Sequence, residues 1–307
     1  MQNILSRELI NPEISFIPFG VSRPKTYKQL CSRINQAKHL LLSKGVKKQE
    51  LVTVVTLTQN FDTTAILFAL FELGCVTHVC CDELFTEEVG NFKDTTDWRI
   101  LGFDKEWRLS EMNKEVGGGY RLGDMYDGAG FQWHNAVGFC NKPLVMMDYD
   151  ELDDQPTDDI QPWDVYEDDV CYLVELHGWS RYHTHKEVLK KSRDCIDIFG
   201  YRGLKVGLVK SQHHQQAFEL CTLPALMSAR KVFVLPVPDK EPIAEFYQPI
   251  TEMSCKLIQR NGVELVWGII PEVLEWIHQN FEFENTKFVR QEGNVYGDMS
   301  SRPICLS

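Results

Sequence analysis

Hydrophobic positions near the start of the chain recur at helical spacing. Thr26 and Gln29 have the spacing of a capping box at the start of this stretch, and Gly45 ends it. One apolar face is formed by Tyr27, Leu30, Ile34, Ala37 and Leu41. The pattern predicts an amphipathic helix, whereas residues 1–25, with three prolines, predict extended or looped chain.

Short β-branched runs follow, separated by a second helical stretch. Leu51–Leu57 and Cys75–Cys81 have the length and composition of buried strands, and Phe61–Glu72 is an apolar stretch of helical length. Trp98–Phe103 has the pattern of a short third strand. Strands that alternate with helices over short connections favour a parallel sheet with right-handed crossovers.

The stretch from Asp168 to Leu189 joins a strand, a polar segment and a helix. Val170–Val174 is a short apolar run, Gly178 breaks it, and a helical pattern resumes at Lys186. Such a succession is where α/β proteins bind phosphates, because a helix N-terminus presents unpaired N–H groups. A working phosphate cradle usually contains several glycines, and this segment has one. The sequence therefore indicates a nucleotide-type site whose loop is damaged.

The remainder of the chain repeats the alternation of strands and helices. The further predicted elements are the strand Leu204–Val209, the helix Gln215–Ser228 interrupted at Pro224, the strand Lys231–Val237, the helix Phe246–Asn261, the strand Val263–Ile270 and the helix Glu272–Asn280. We predict an α/β protein of mostly parallel sheets with helices on both faces, arranged in two lobes.

Acidic residues are concentrated in the middle of the chain. Residues 148–169 contain eleven Asp and Glu residues and two prolines. This composition favours a solvated linker between a first lobe, residues 1–147, and a second lobe, residues 170–307. A metal or acid–base site is the alternative interpretation, but the spacing is not that of a calcium loop.

Composition narrows the classes of function. The formal net charge is −12, which argues against a nucleic-acid partner because phosphate binding needs a basic surface. No apolar run reaches the about 18–20 residues that span a bilayer, so we expect no membrane partner. Residues 1–16 lack the pattern of a signal peptide. The ten cysteines have no Cys-x-x-Cys spacing, as expected of reduced thiols in a cytoplasmic protein.

The remaining candidates for catalysis or ligand binding are two groups of histidines. One group is His177, His183 and His185 around the polar segment, and the other is His213 with His214 after a predicted strand. No cysteine or carboxylate lies at matching spacing, so residues that hydrogen-bond around a crevice are favoured over a metal site. Ser180 is not marked as a nucleophile, because Gly178-Trp179-Ser180 lacks the second glycine of a nucleophile elbow.

Six segments match the motifs of one known family in order. They are Thr26–Val46 with Leu51–Val54, Asn60–Gly74, Asp168–Leu173, His183–Val188, Ser211–His214 with Leu223–Leu226 and Val232–Leu235, and Ile258–Leu274. Together they resemble the N-terminal domain of the adenylate-forming superfamily, which includes acyl-CoA synthetases, luciferases and peptide-synthetase adenylation domains. The resemblance implies a two-lobed α/β fold and, in an active member, ATP with Mg²⁺.

The departures from the family pattern concern its chemistry. The family's phosphate loop is a run of Ser, Thr and Gly followed by Lys, and here the shorter segment Glu175–Tyr182 takes its place. Trp179 stands where backbone N–H groups should face phosphate, and Arg181 is the stand-in for the lysine. Farther along, Tyr296 matches the aromatic residue that stacks on adenine, but Ser300 replaces the magnesium-binding glutamate.

Two further positions complete the comparison with the family. His214 stands where the family has a residue that borders the acyl substrate. The sequence ends at Ser307, before the family's ribose-binding aspartate and its C-terminal domain with the catalytic lysine. We therefore expect a degenerate, truncated relative.

The sequence leads to two hypotheses of different classes. The first is a non-catalytic interaction or assembly protein that reuses the adenylate-forming fold, with a protein partner or a second copy of itself. The alternative is a divergent ATP-dependent adenylating ligase or nucleotide-binding protein completed by a partner chain. Its crevice would contain Ser180, Arg181, His185, His214 and Tyr296, with ATP and Mg²⁺ as cofactors. We assign no catalytic residue and no metal ligand; a small-ligand-binding remnant without turnover lies between the two hypotheses.

Overall fold

The computed structural model describes residues 4–17, 24–55, 61–80, 98–103, 144–148, 150–176, 179–209, 218–235, 248–269, 271–290 and 305–306. Within these ranges the chain is α/β, as predicted. The helices are α1 Tyr27–Ser43, α2 Phe61–Glu72, α3 Asp150–Asp153, α4 His185–Phe199, α5 Leu223–Ser228, α6 Gln248–Asn261 and α7 Pro271–Asn280, with a 3₁₀ turn at Arg7–Leu9 and a π-helical turn at Phe218–Thr222.

The strands belong to two sheets. They are β1 Ser15–Ile17, β2 Lys25–Thr26, β3 Leu51–Val55, β4 Val76–Cys80, β5 Trp98–Phe103, β6 Leu144–Asp148, β7 Val170–Leu176, β8 Trp179–Thr184, β9 Lys205–Val209, β10 Lys231–Leu235, β11 Leu265–Ile269, β12 Lys287–Arg290 and β13 Cys305–Leu306. One sheet has the order β6-β5-β3-β4-β7-β8 and the other β13-β12-β11-β9-β10-β1-β2. The pairs β1–β2 and β12–β13 are antiparallel. The parallel pairs are β5–β6, β3–β5, β3–β4 and β4–β7 in one sheet and β11–β12, β9–β11, β9–β10 and β1–β10 in the other.

The chain divides into two compact units. The first unit comprises Met1–Leu5, Cys31–Val174 and Tyr182–His185, and the second comprises Ser6–Leu30, Glu175–Arg181 and Lys186–Ser307. Strands β3 to β6 lie in the first unit, and strands β9 to β13 lie in the second. The sequence-based boundaries of the domains stay a prediction.

Local signals at both ends of α1 act as the sequence predicts. The backbone N–H of Gln29 donates to Thr26 Oγ1 at 3.3 Å, and the backbone N–H of Thr26 donates to Gln29 Oε1 at 2.8 Å. This reciprocal pair is the capping box. At the other end, Gly45 has a φ of 94°, and the backbone N–H of Val46 donates to the carbonyl oxygen of Leu41 at 3.2 Å. A glycine in this conformation ends the helix without a Cβ penalty.

Helix α2 forms the centre of the first unit. Eleven of its twelve residues are buried, as expected of a helix that is apolar on every side. The rings of Phe68 and Phe71 meet edge to face at 6.2 Å, and Phe71 meets Tyr172 of β7 at the same distance. No helix within the described ranges combines the length and the apolarity that crossing a membrane requires.

Two predicted elements take a defined form in the structure. Where the sequence predicts a helix interrupted at Pro224, the described residues form the π-helical turn Phe218–Thr222 followed by α5, and Pro224 lies in the first turn of α5, where its missing N–H costs no hydrogen bond. The polar segment predicted after Gly178 is not a loop, because Trp179–Thr184 forms strand β8.

The acidic segment 150–169, here called the acidic strap, packs on α1 and the turn that follows it. The strap and the part of α1 that it contacts, from Arg33 onward, belong to the first unit. The contacts of the strap are Arg33 with Asp153, Asn35 with the Thr157 carbonyl, Gln36 with the Gln155 carbonyl, His39 with the Asp158 carbonyl, and Lys48 with the Asp164 carbonyl and the Asp169 carboxylate. Hydrogen bonds along its length therefore fix the strap to one unit.

The most deeply buried of these contacts is made by Lys38. Its side chain is 0% exposed. The ammonium Nζ lies 3.2 Å from Glu72 Oε2, 2.8 Å from Asp159 Oδ1 and 3.1 Å from Gln161 Oε1. An ammonium has three N–H donors, so these three acceptors satisfy it. Lys38 thus links α1, α2 and the acidic strap.

Candidate functional site

The segment that the sequence singles out is a β-hairpin followed by a helix. Strand β7 ends at Leu176 and β8 begins at Trp179, so two residues connect them. A connection this short joins antiparallel strands, because parallel strands need a much longer crossover. Strand β8 ends at Thr184, and α4 begins directly at His185. Between strand and helix there is consequently no extended loop that could surround a phosphate.

Arg181 is the exposed cation of this hairpin. Its side chain is 59% exposed, and its Nη2 lies 4.0 Å from Glu187 Oε1 in the first turn of α4. Both residues belong to the second unit. An ion pair at this distance between two half-exposed side chains holds neither group firmly. The guanidinium is therefore available to an anionic ligand.

A buried ion pair lies close to Arg181 in the same unit, and it could not be recognised from the sequence. Lys191 Nζ contacts both carboxylate oxygens of Glu219, at 3.2 and 3.0 Å, and the Glu219 side chain is 1% exposed. Burial raises the pKa of Glu219, while Lys191 and Arg181 oppose that effect and Glu187 adds to it. One sequence feature could have indicated a buried partner for Glu219. Glu219 is the single charged residue in the mainly apolar turn Phe218–Thr222, and a buried carboxylate needs a cation beside it.

His185 lies inside the first unit. Its side chain is fully buried, its ring Nδ1 accepts a hydrogen bond from the backbone N–H of Leu5 at 3.0 Å, and its own backbone N–H donates to the Asp169 carbonyl at 3.2 Å. The ring faces Phe71 edge to face at 6.4 Å. Burial lowers the pKa of His185 from 6.5 to about 4, with Asp169 raising it and Lys48 lowering it. The imidazole is neutral at pH 7.

Most of the other predicted site residues lie outside the part of the chain that the structure describes. Ser180 lies in β8, with its side chain outside the described residues, and His214 and Tyr296 lie outside them entirely. Arg181 and His185 belong to different units. The crevice made of these five residues therefore stays a prediction.

Of the three other histidines that the sequence singles out, the structure describes one. His183 is buried in β8, whereas His177 and His213 lie outside the described residues. Across the part of the chain that the structure describes, no three His, Cys, Asp or Glu residues are arranged to hold a metal ion.

Comparison with known proteins gives the class of fold. The sequence matches no protein-family model and no curated protein. Among solved structures, the chain is similar to a fatty acyl CoA synthetase of Mycobacterium tuberculosis, with a TM-score of 0.66, 13% identity, and coverage of 94% of this chain and 54% of that one. It is similar to the N-terminal domain of FACL13 from the same organism, with a TM-score of 0.65, 14% identity, and coverage of 92% and 67%.

A third similar structure is that of a peptide synthetase. The nonribosomal peptide synthetase FmoA3, in its AMPPNP-bound form, matches with a TM-score of 0.62 and 16% identity, over 92% of this chain and 27% of that one. The fold is that of the N-terminal domain of adenylate-forming enzymes. The chain spans about half the length of the acyl CoA synthetase that it matches. At these identities the likeness concerns the fold, and function has to be argued from the site.

Proposed function

We propose that the chain is a non-catalytic protein that uses the adenylate-forming fold to bind a protein partner or a second copy of itself. The observation that carries the proposal is the two-residue connection between β7 and β8, at the place where the family pattern has its phosphate loop. A phosphate cradle needs several backbone N–H groups that converge on one anion. Two neighbouring strands instead direct their backbone groups into the pairing between them.

The chemistry of adenylation makes this loss severe. Phosphoryl and nucleotidyl transfer depends on positioning and on stabilising charge with preorganised donors. Arg181 alone supplies a charge but no cradle. We therefore expect neither turnover nor tight ATP binding.

The test combines a binding measurement with an activity measurement on the purified chain. Calorimetry with ATP, with and without Mg²⁺, is expected to show no binding up to millimolar nucleotide. ATP–pyrophosphate exchange in the presence of a panel of carboxylic acids is expected to stay at background. Acid-dependent exchange above background would refute the proposal. Sedimentation velocity then decides between a second copy and a different partner, since self-association would give a concentration-dependent dimer.

The second candidate function is nucleotide binding, which the exposure of Arg181 favours. This hypothesis predicts micromolar ATP binding that is lost in Arg181→Ala. Arg202→Ala is the matched control, because Arg202 is also exposed, lies in the same unit, and pairs with Asp197 at 2.9 Å. Binding that Arg181→Ala weakens and Arg202→Ala leaves unchanged would replace the first proposal with this one.

We also place the protein in the cytoplasm. The residues Cys75, Cys195, Cys221 and Cys255 are buried, and they are free thiols. Buried, unpaired thiols support a reducing compartment, since secreted domains tend to use their cysteines in disulfides. Fractionation of cells that express the tagged chain would test the location.

A further inference from the structure

The hydrogen bond between His185 and Leu5 depends on the protonation state of the imidazole. The bond joins the Leu5 backbone N–H to His185 Nδ1 at 3.0 Å, and both side chains are fully buried. Because Nδ1 accepts, the single ring proton of the neutral imidazole resides on Nε2. Protonation would place a second N–H on Nδ1, directed at the N–H of Leu5. The charged ring therefore cannot make this hydrogen bond.

The surroundings of the ring give little compensation for a charge. Nε2 is buried and has no hydrogen-bond partner among the described residues. On the α2 side the ring faces Phe71, which is apolar. The charged groups that act on it are Asp169, which favours the imidazolium, and Lys48, which disfavours it and lies 2.8 Å from the Asp169 carboxylate. The lysine offsets part of the attraction that the carboxylate provides.

We propose that the His185–Leu5 contact is a proton-sensitive latch, which holds Leu5 in the first unit while the imidazole is neutral and opens when the imidazole takes up a proton. The latch joins two positions that are 180 residues apart in sequence. Each position is the last residue of a segment that belongs to the first unit. This proposal does not rest on the proposed function.

The size of the effect follows from the difference in proton affinity between the two states. In the open latch His185 has its ordinary pKa of 6.5, and in the closed latch burial lowers that pKa to about 4. The closed state is thus favoured above pH 6.5 and loses its advantage as the pH falls towards 4. Between pH 7.5 and pH 5.0 the opening constant is expected to rise about 30-fold.

Hydrogen exchange at one amide measures the opening directly. In protein labelled with ¹⁵N-leucine, the Leu5 resonance is assigned by its loss in Leu5→Ile. Its protection factor, which is corrected for the intrinsic pH dependence of exchange, is expected to fall about 30-fold from pH 7.5 to pH 5.0. Leu70, buried in α2, reports global unfolding in the same sample and should remain better protected at both pH values.

Two variants separate the latch from a general effect of acid. In His185→Asn the side-chain oxygen can take the place of Nδ1 as acceptor, and it does not titrate, so the protection of Leu5 should become independent of pH. His278→Asn, at an exposed histidine of α7 in the second unit, should leave the response unchanged. An unchanged protection of Leu5 in the wild type, or an equal fall in His185→Asn, would overturn the proposal.

A measurement on the wild-type protein keeps the proposal testable if His185→Asn does not fold. The ¹⁵N chemical shifts of the His185 ring at pH 7.5 should show an unprotonated Nδ1 and a protonated Nε2. A proton on Nδ1 at this pH would exclude the acceptor role and overturn the latch. Exchange of Leu5 at the rate of Leu70 would overturn it as well, because no local opening would then exist.

Discussion

Replacing Lys38 by methionine is expected to lower the free energy of unfolding by about 3 kcal/mol. The substitution keeps much of the side-chain volume and removes the ammonium that lies 3.2 Å from Glu72, 2.8 Å from Asp159 and 3.1 Å from Gln161. Removing one partner of a buried ion pair is costly because the other partner stays in a low-dielectric site without the opposite charge that faced it.

The exposure of the acceptors locates most of this cost. The Asp159 side chain is 62% exposed, so water can replace the ammonium there at a cost of about 1 kcal/mol or less. The Glu72 side chain is only 8% exposed. Of the typical loss of about 3–5 kcal/mol for breaking a buried pair, the larger part should therefore arise at Glu72.

Urea unfolding followed by circular dichroism measures the change, and hydrogen exchange of α1 and α2 assigns it to the first unit. Adding Glu72→Gln to Lys38→Met should recover about 2 kcal/mol, because the buried charge is then gone as well. Lys44→Met is the matched control, since Lys44 pairs with Glu151 at 2.9 Å with both side chains over a third exposed, and it should cost less than about 1 kcal/mol. A loss below 1 kcal/mol in Lys38→Met, or no recovery in the double variant, would refute the reasoning.

Three further predictions concern stability. Gly74→Ala should cost about 1–2 kcal/mol in urea unfolding, because Gly74 has a φ of +66° and a Cβ would lie 3.1 Å from Lys48 Cγ; wild-type stability would contradict this. Lys191→Met should cost about 3 kcal/mol by removing the ammonium beside buried Glu219, and a small loss would contradict it. Burial lowers the pKa of His78 from 6.5 to about 4, so its neutral form stabilises the fold above pH 6.5. That contribution should fall by about 1.4 kcal/mol per pH unit from pH 6.5 towards 4; in unfolding measured across this range, His78→Asn should lack this part of the slope.

Elements whose signals are local could be predicted closely from the sequence. The predicted bounds of α2 and β5, Phe61–Glu72 and Trp98–Phe103, are those of the structure. The capping box of Thr26 and Gln29 forms as expected. In each case the information lies within a few residues, as an apolar stretch of defined length or a pair of side chains at fixed spacing.

Strand β8 could not be recognised because its alternation is not one of apolar and polar residues. Arg181 and Tyr182 are exposed, while His183 is buried. A buried histidine reads as polar in the sequence, so the segment has the composition of a loop. The structure identifies the segment as a strand, since β8 lies beside β7 at the edge of its sheet.

The ion pairs of the site and of the acidic strap could not be predicted from the sequence, for a different reason. Lys191 and Glu219 are 28 residues apart, and Lys38 and Asp159 are 121 apart. No periodicity connects such positions, and lysine and glutamate are rarely buried unless they are paired. Arg181 could be singled out from the sequence, but the buried carboxylate near it required the fold.

The contacts of the acidic strap have a consequence for how its sequence can evolve. Four of them end on main-chain carbonyl oxygens, those of Gln155, Thr157, Asp158 and Asp164. Every amino acid supplies this oxygen, so a substitution at these positions preserves the acceptor as long as the backbone keeps its path. The donors are side chains outside the strap, and those cannot be exchanged so freely. In a family of related chains, the residues at these four positions could therefore diverge in composition, whereas we expect Asn35 and Lys48, whose side chains donate to them, to be retained.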